Sequence, residues 1–195
     1  MNPLEISELI ITICTEMRSS TDIINMGSVN KFHKKIIREN KWPHLCICLR
    51  TEKILLLMKQ NYNFCKIILS YTGVTDRSVS LLTKLHTLNL CNTSVTDKSV
   101  SLLTNLHTLN LRSTKVTARS VSLLTNLHTL NLCNTRITDE SVSLLTKLHT
   151  LNLSFTRVTD ESVSLLTNLH ILNLTFTRVT DECKDFLRSK KVTIK

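Results

Sequence analysis

Five histidines, His86, His107, His128, His149 and His170, recur at intervals of 21 residues. Imidazole is a common ligand for transition metals and titrates near neutrality. Stacked one above another, the five would form a column with about 5 Å per step, and protonating it below about pH 6.5 would set like charges side by side. A metal cage gathers its ligands round one point, whereas a straight row of equivalent residues arises from copying a unit. The row is therefore expected to be a structural or solvated feature of a turn, with no metal bound. The seven cysteines are an odd set with no C-x-x-C pair, the pattern of reduced thiols. Cys91 and Cys133 occupy equivalent positions two units apart, roughly 10 Å in a stack of strands and beyond disulfide reach. Serines and threonines abound, but no nucleophile, base and acid stand out as a set. With two glycines in the chain, no glycine-rich phosphate loop can be built. No catalytic residue, cofactor or metal is expected.

The element that positions these groups is the repeat itself. VTDRSVSLLTKLHTLNLCNTS (74–94) recurs in phase four more times, to residue 178, and 179–195 form an incomplete final copy. Within a unit, Leu88 and Leu90 alternate across a short strand and point inward, while Thr87, Asn89 and Cys91 point outward. Thr75 and Asp76 supply cap and first-turn chemistry for a short helix whose Val79 and Leu82 face the same core from the other side. One unit cannot bury its own apolar face, but a stack can. The pattern Leu85-x-x-Leu88-x-Leu90-x-x-Thr93-x-Val95 resembles the leucine-rich-repeat signature, with Thr where that family usually has Asn or Cys. The resemblance implies an α/β solenoid with a concave parallel sheet. A threonine hydroxyl both donates and accepts, so the Thr93, Thr114, Thr135, Thr156 and Thr177 column is expected to satisfy buried loop backbone.

Followed backwards, the phase reaches Phe64-x-x-Ile67-x-Leu69-x-x-Thr72 and, one period earlier, Cys46-x-Cys48-x-x-Thr51. The solenoid is thus expected to start near residue 43 and to close with a strand at Val192-Thr193-Ile194, making eight strands. In this division 46–73 are degenerate capping repeats, 74–178 five regular repeats and 179–195 a C-terminal cap.

The chain has 195 residues, 42% of them apolar and 21% charged, a composition that excludes whole-chain disorder. The apolar stretch from Ile6 to Cys14 is interrupted by Glu8 and is far shorter than a membrane span. No signal peptide or transmembrane helix is expected, and with reduced thiols this points to the cytoplasm or nucleus. Abundant Asn, Ile, Lys and Thr with scarce Gly and Pro fit an AT-rich coding sequence, as in some protists and large DNA viruses, where the compartment would be the host cell's. The formal charge is +10, with 10 basic and 6 acidic residues in 1–72 and 15 and 9 in 73–195. The excess is spread out, with no single basic block.

Residues 2–45 do not repeat and read as a small helical unit. Ile6, Leu9, Ile10 and Ile13 have helical spacing; Ser20 or Thr21 caps a short helix that Gly27 ends; Ser28 caps another running to about Asn40. Trp42-Pro43 then stops it. The order of residues resembles an F-box, a three-helix module that docks onto a Skp-type adaptor of a cullin ubiquitin ligase. Asn2-Pro3-Leu4-Glu5-Ile6 looks like its opening L-P-x-E-[IL], Asp22-Ile23 its middle D-L, Val29-Asn30-Lys31-Phe32 its V-[CS]-[KR]-x-[FW], and Asn40-Lys41-Trp42 its closing element. Asn2 and Asn30 depart from the pattern. The resemblance implies adaptor binding through Pro3, Leu4, Ile6, Ile23, Val29, Phe32 and Trp42. The alternative is a helical cap over the end of the solenoid that binds nothing.

Positions that differ between otherwise identical units are where a partner could be distinguished. These are the columns Cys91, Arg112, Cys133, Ser154, Thr175; Asn92, Ser113, Asn134, Phe155, Phe176; and Ser94, Lys115, Arg136, Arg157, Arg178. Phe155 and Phe176 beside Arg157 and Arg178 make an aromatic-plus-arginine patch of the kind enriched at binding hot spots, or a shield over the late turns. Asn152 and Asn173 belong to a uniform Asn strip that offers hydrogen bonds. The expected function is that of a substrate-recognition subunit in which the repeats hold an unknown target protein and the F-box holds the adaptor. A stand-alone repeat scaffold is the alternative. Nucleic-acid or anionic-surface binding is a third class, opposed by sparse aromatics and by the interspersed Asp139, Glu140, Asp160 and Glu161.

Overall fold

The computed structural model describes residues 42–48 and 64–195. Within them eight parallel strands stand in chain order in one sheet. They are β1 Trp42–Cys48, β2 Phe64–Ile68, β3 Thr87–Asn89, β4 Thr108–Asn110, β5 Thr129–Asn131, β6 Thr150–Asn152, β7 Ile171–Asn173 and β8 Thr193–Ile194. Short helices α1 Asp76–Val79, α2 Asp97–Val100, α3 Ala118–Val121, α4 Asp139–Val142 and α5 Asp160–Val163 return the chain behind the sheet, and α6 Asp181–Ser189 is longer. Strands of three residues suffice because each turn borrows its neighbours: Leu88, Leu109, Leu130, Leu151 and Leu172 stand in register and are at most 1% exposed. Leu85, Leu90, Val95, Val79 and Leu82, with their equivalents, complete one continuous apolar column.

The N-terminal edge departs from the 21-residue phase. Extrapolation puts Cys46 opposite Ile67, but the structure pairs Cys46 with Lys66 and Ile47 with Ile67, after an irregularity between Trp42 and Cys46. Pro43, which has no N–H to give a ladder, lies within that irregular stretch of an edge strand. Trp42, expected to close the helical module, is instead the first residue of β1. The rest of the F-box-like segment, with Pro3, Leu4, Ile6, Ile23, Val29 and Phe32, lies outside the described residues.

Two side-chain ladders tie the turns together. Thr93, Thr114, Thr135 and Thr156 are buried, and each hydroxyl donates to the carbonyl three residues before it, at 2.5–2.7 Å. The threonine column therefore satisfies backbone within its own turn.

The second ladder crosses between turns. Asp76 accepts from the Thr96 N–H at 2.8 Å, the Thr96 hydroxyl at 2.6 Å and the Ser99 hydroxyl at 2.7 Å. Asp97 holds Thr117 and Ser120 in the same way, while Asp139 holds Thr159 and Asp160 holds Thr180 through N–H and hydroxyl. Each threonine is also the N-cap of its helix, and the Thr96 hydroxyl that donates to Asp76 accepts from the Lys98 N–H. The expected cap chemistry is present, but the aspartates mainly serve the following turn.

The ladder breaks once, at Ala118. Thr138, the next turn's cap, makes no side-chain cap bond, and a hollow lined by Thr117, Ala118, Arg119, Ser122, Glu140 and Leu144 lies at the break. Ala118→Asp is expected to restore the missing rung and raise stability by about 1 kcal/mol, read from urea unfolding at neutral pH. An unchanged or lower midpoint would show that the ladder contributes nothing to stability.

Candidate functional site

The outward columns behave differently from one another. Cys91, Cys133 and Ser154, expected to point outward, are buried, while Arg112 and Thr175 in the same column are exposed. The reason is local. The strand ends at Asn89, and the Asn89 side-chain oxygen accepts from the Cys91 N–H at 2.9 Å, so the chain is already turning and strand alternation no longer applies. Asn110, Asn131, Asn152 and Asn173 do the same for Arg112, Cys133, Ser154 and Thr175. Asn152 and Asn173 are half-buried and give a lone pair to their own turns, which makes the Asn strip architectural first.

The following residue adopts a left-handed backbone in every turn: Tyr71, Asn92, Ser113, Asn134, Phe155 and Phe176, with φ of 54–58°. The N–H of Tyr71, Asn92, Ser113, Asn134 and Phe155 each donates to a carbonyl of the next turn at 2.8–3.0 Å, and Phe176, in the last such turn, keeps the same conformation. Glycine fits the region without strain and Asn tolerates it, but a bulky side chain there costs about 1 kcal/mol or more. Phe155 and Phe176 bear this strain while 55% and 74% exposed. Their rings touch, with centroids 4.7 Å apart and planes at 31°. Both the strain and the exposed apolar area oppose stability.

Beside them Lys115, Arg136, Arg157 and Arg178 form an exposed row of cations on four successive turns. The ion pairs among the described residues that involve the last helix, Lys184 with Asp181 and Arg188 with Asp185, use none of them. Of the carboxylates that follow Arg136 and Arg157 in sequence, Asp139 and Asp160 are committed to Thr159 and Thr180, and Glu140 and Glu161 are exposed. The structure thus brings Phe155 and Phe176 together on the edge that carries Arg157 and Arg178.

The histidines form the expected column, with neighbouring ring centroids 5.3–5.4 Å apart. Among the described residues no three His, Cys, Asp or Glu side chains converge as a metal site would require. Cys91, Cys133 and Cys183 are free thiols. Burial, then the nearby Asp160 carboxylate, push the Cys183 thiol above its ordinary value, opposite to the shift of a reactive thiolate.

Sequence reasoning missed the left-handed column, whose mixture of Asn, Ser, Tyr and Phe hides it where a recurring glycine would have flagged it. It also missed Leu81, Leu102, Leu123, Leu144 and Leu165 on the helix side, which are 50–55% exposed. Each adjoins the core leucine Leu82, Leu103, Leu124, Leu145 or Leu166, and the pair of adjacent leucines was the available signal.

Parallel one-rung strands, a short return helix per turn and a threonine ladder define a leucine-rich-repeat solenoid. A family profile described as Leucine Rich repeat matches residues 144–166. Among solved structures the chain is similar to an internalin of Listeria monocytogenes, at 19% identity and a TM-score of 0.63, over 85% of this chain and 50% of that one. Internalin C2 of the same organism is similar at 26% identity and a TM-score of 0.54, over 64% of this chain and 57% of that one. A leucine-rich-repeat protein of Leptospira interrogans is similar at 24% identity and a TM-score of 0.57, over 84% and 44%. The chain thus spans about half the length of these structures. No curated protein matches it. Among the described residues no helix is long and apolar enough to cross a membrane.

Proposed function

We propose that this chain is a protein-binding scaffold whose partner docks on the edge formed by Phe155, Phe176, Arg157 and Arg178, and whose N-terminal segment couples that partner to a Skp-type adaptor of a cullin ubiquitin ligase. The observation that carries the binding role is the exposed, left-handed Phe155–Phe176 pair beside the exposed Arg157 and Arg178. Strain and exposure together are retained where a surface has a use. Asn152 and Asn173 stand in the strands beside this edge. The adaptor role rests on the order of Pro3, Leu4, Ile6, Ile23, Val29, Phe32 and Trp42. The chain catalyses nothing in this reading; other subunits transfer ubiquitin, in the cytoplasm or nucleus of the cell that makes the protein.

A specific observation favours a second reading, a stand-alone scaffold with an N-terminal cap. Trp42, the closing residue of the F-box pattern, lies in β1 and pairs with Phe64, so that end of the segment is part of the sheet. Titrating the full chain with a purified Skp-type adaptor separates the two. Binding at micromolar concentration, abolished by polar substitutions at Pro3, Ile6 and Val29 that leave circular dichroism unchanged, is expected. No binding at that concentration leaves the scaffold reading alone.

A further inference from the structure

The partner surface has a chemistry of its own, and resting on the binding role proposed above, we infer that it takes an acidic protein segment with one aromatic or aliphatic anchor, lying across the turns. Lys115, Arg136, Arg157 and Arg178 are exposed on four consecutive turns. Three steps of about 4.8 Å give a row some 15 Å long, the length of about five extended residues. Alternate side chains of an extended segment fall about 6.6 Å apart, and long flexible Lys and Arg stems absorb the mismatch with the shorter rung spacing.

The row is open to an outside anion because the aspartates near it in sequence are taken, while the exposed Glu140, Glu161 and Glu182 make no ion pair with it among the described residues. Asp139 and Asp160 accept from the next turn's threonine, and Asp181 is paired with Lys184. Phe155 and Phe176 occupy only the last two of the four rungs, so the apolar anchor sits toward the C-terminal end of the row with carboxylates running back toward Lys115.

A nucleic acid would satisfy the cations but not the rings. Binding of single strands relies on bases stacking along successive aromatic faces, whereas these two rings face each other at 4.7 Å and leave no gap for a base between them. Two rungs of the four have no aromatic at all.

The solenoid supplies substitutions that keep the backbone as it is. Asn92 and Asn134 already occupy the left-handed position, and Ser94 occupies the cation position of the first regular turn. Phe155→Asn with Phe176→Asn, and Arg157→Ser with Arg178→Ser, therefore each copy a sister turn. Fluorescence anisotropy on the full chain would use four labelled 12-mer probes. They are a Glu/Asp peptide with a central Phe-Leu, its Gln/Asn counterpart, an all-Glu peptide, and a single-stranded RNA.

The acidic peptide with the anchor is expected to bind best, weakening with salt and by about 10-fold in either double variant. Equal binding of the Gln/Asn counterpart, or no effect of Arg157→Ser/Arg178→Ser, overturns the acidic partner. If the Phe variants alone weaken the neutral peptide, the edge remains a partner surface of different chemistry. If neither pair matters for any probe, the partner surface itself is lost as well. RNA binding tighter than the acidic peptide and sensitive to the Arg pair assigns the row to nucleic acid instead.

Discussion

Leu130→Ala is expected to lower the free energy of unfolding by about 3 kcal/mol, measured by urea denaturation followed by circular dichroism. Leu130 is 1% exposed at the centre of the sheet, in register with Leu109 on one side and Leu151 on the other. Truncation removes the transfer free energy of the lost methyls and opens a cavity whose walls are held by the turns above and below, so relaxation is limited. The position in the array adds a second effect. A solenoid is held by neighbour contacts alone, and a weak rung in the middle lets the two halves unfold apart. The denaturant slope should therefore fall together with the midpoint. Leu123→Ala, at a position 53% exposed on the helix side, serves as the control and should change stability by about 0.5 kcal/mol at most. Equal costs at the two positions would contradict the core assignment.

The aspartate ladder gives the second large effect. Asp97→Ala leaves the Thr117 N–H and the fully buried Ser120 hydroxyl without their acceptor, at an expected cost of about 2 kcal/mol at neutral pH. The same ladder makes stability depend on acid. Burial works to raise the Asp76 and Asp97 carboxyls, but hydrogen bonds from the next turn's Thr and Ser outweigh it and hold both below the ordinary value of 3.8. Asp139 is lowered against burial in the same way, and Asp160 is lowered chiefly by Thr180. A carboxyl whose folded value is depressed contributes stability that is fully present above the unfolded value and lost as pH falls through the folded one. The unfolding midpoint should thus hold steady down to about pH 4 and drop below it. Asp97→Ala should show a shallower acid drop than the unchanged chain. An identical acid profile would remove the ladder from the account.

The in-phase recurrence of Leu88, Leu90, Thr93 and Val95 made the solenoid legible, because each recurrence imposes the same burial demand on a neighbouring turn. The histidine column and the inward leucines follow from that spacing alone. The alternation rule failed at Cys91, Cys133 and Ser154, since it holds only within a strand and the strand is three residues long. Phase also failed at the N-terminal edge, where an irregular strand with a proline shifts Ile47 opposite Ile67. Of the binding edge, the nearness of Phe155, Phe176, Arg157 and Arg178 was readable from the repeat. The strain at Phe155 and Phe176 was not.

By itself, then, the sequence determined the period, the parallel stack, the apolar column and the variable positions, all consequences of local pattern repeated. Only the tertiary structure decided which turn serves which, because Asp76 finds Thr96 twenty residues on and not its own cap. It also joined the N–H of the left-handed Phe155 to the Thr175 carbonyl of the next turn, with the aromatic ring turned out to solvent. Both outcomes depend on contacts between turns, which no single repeat contains.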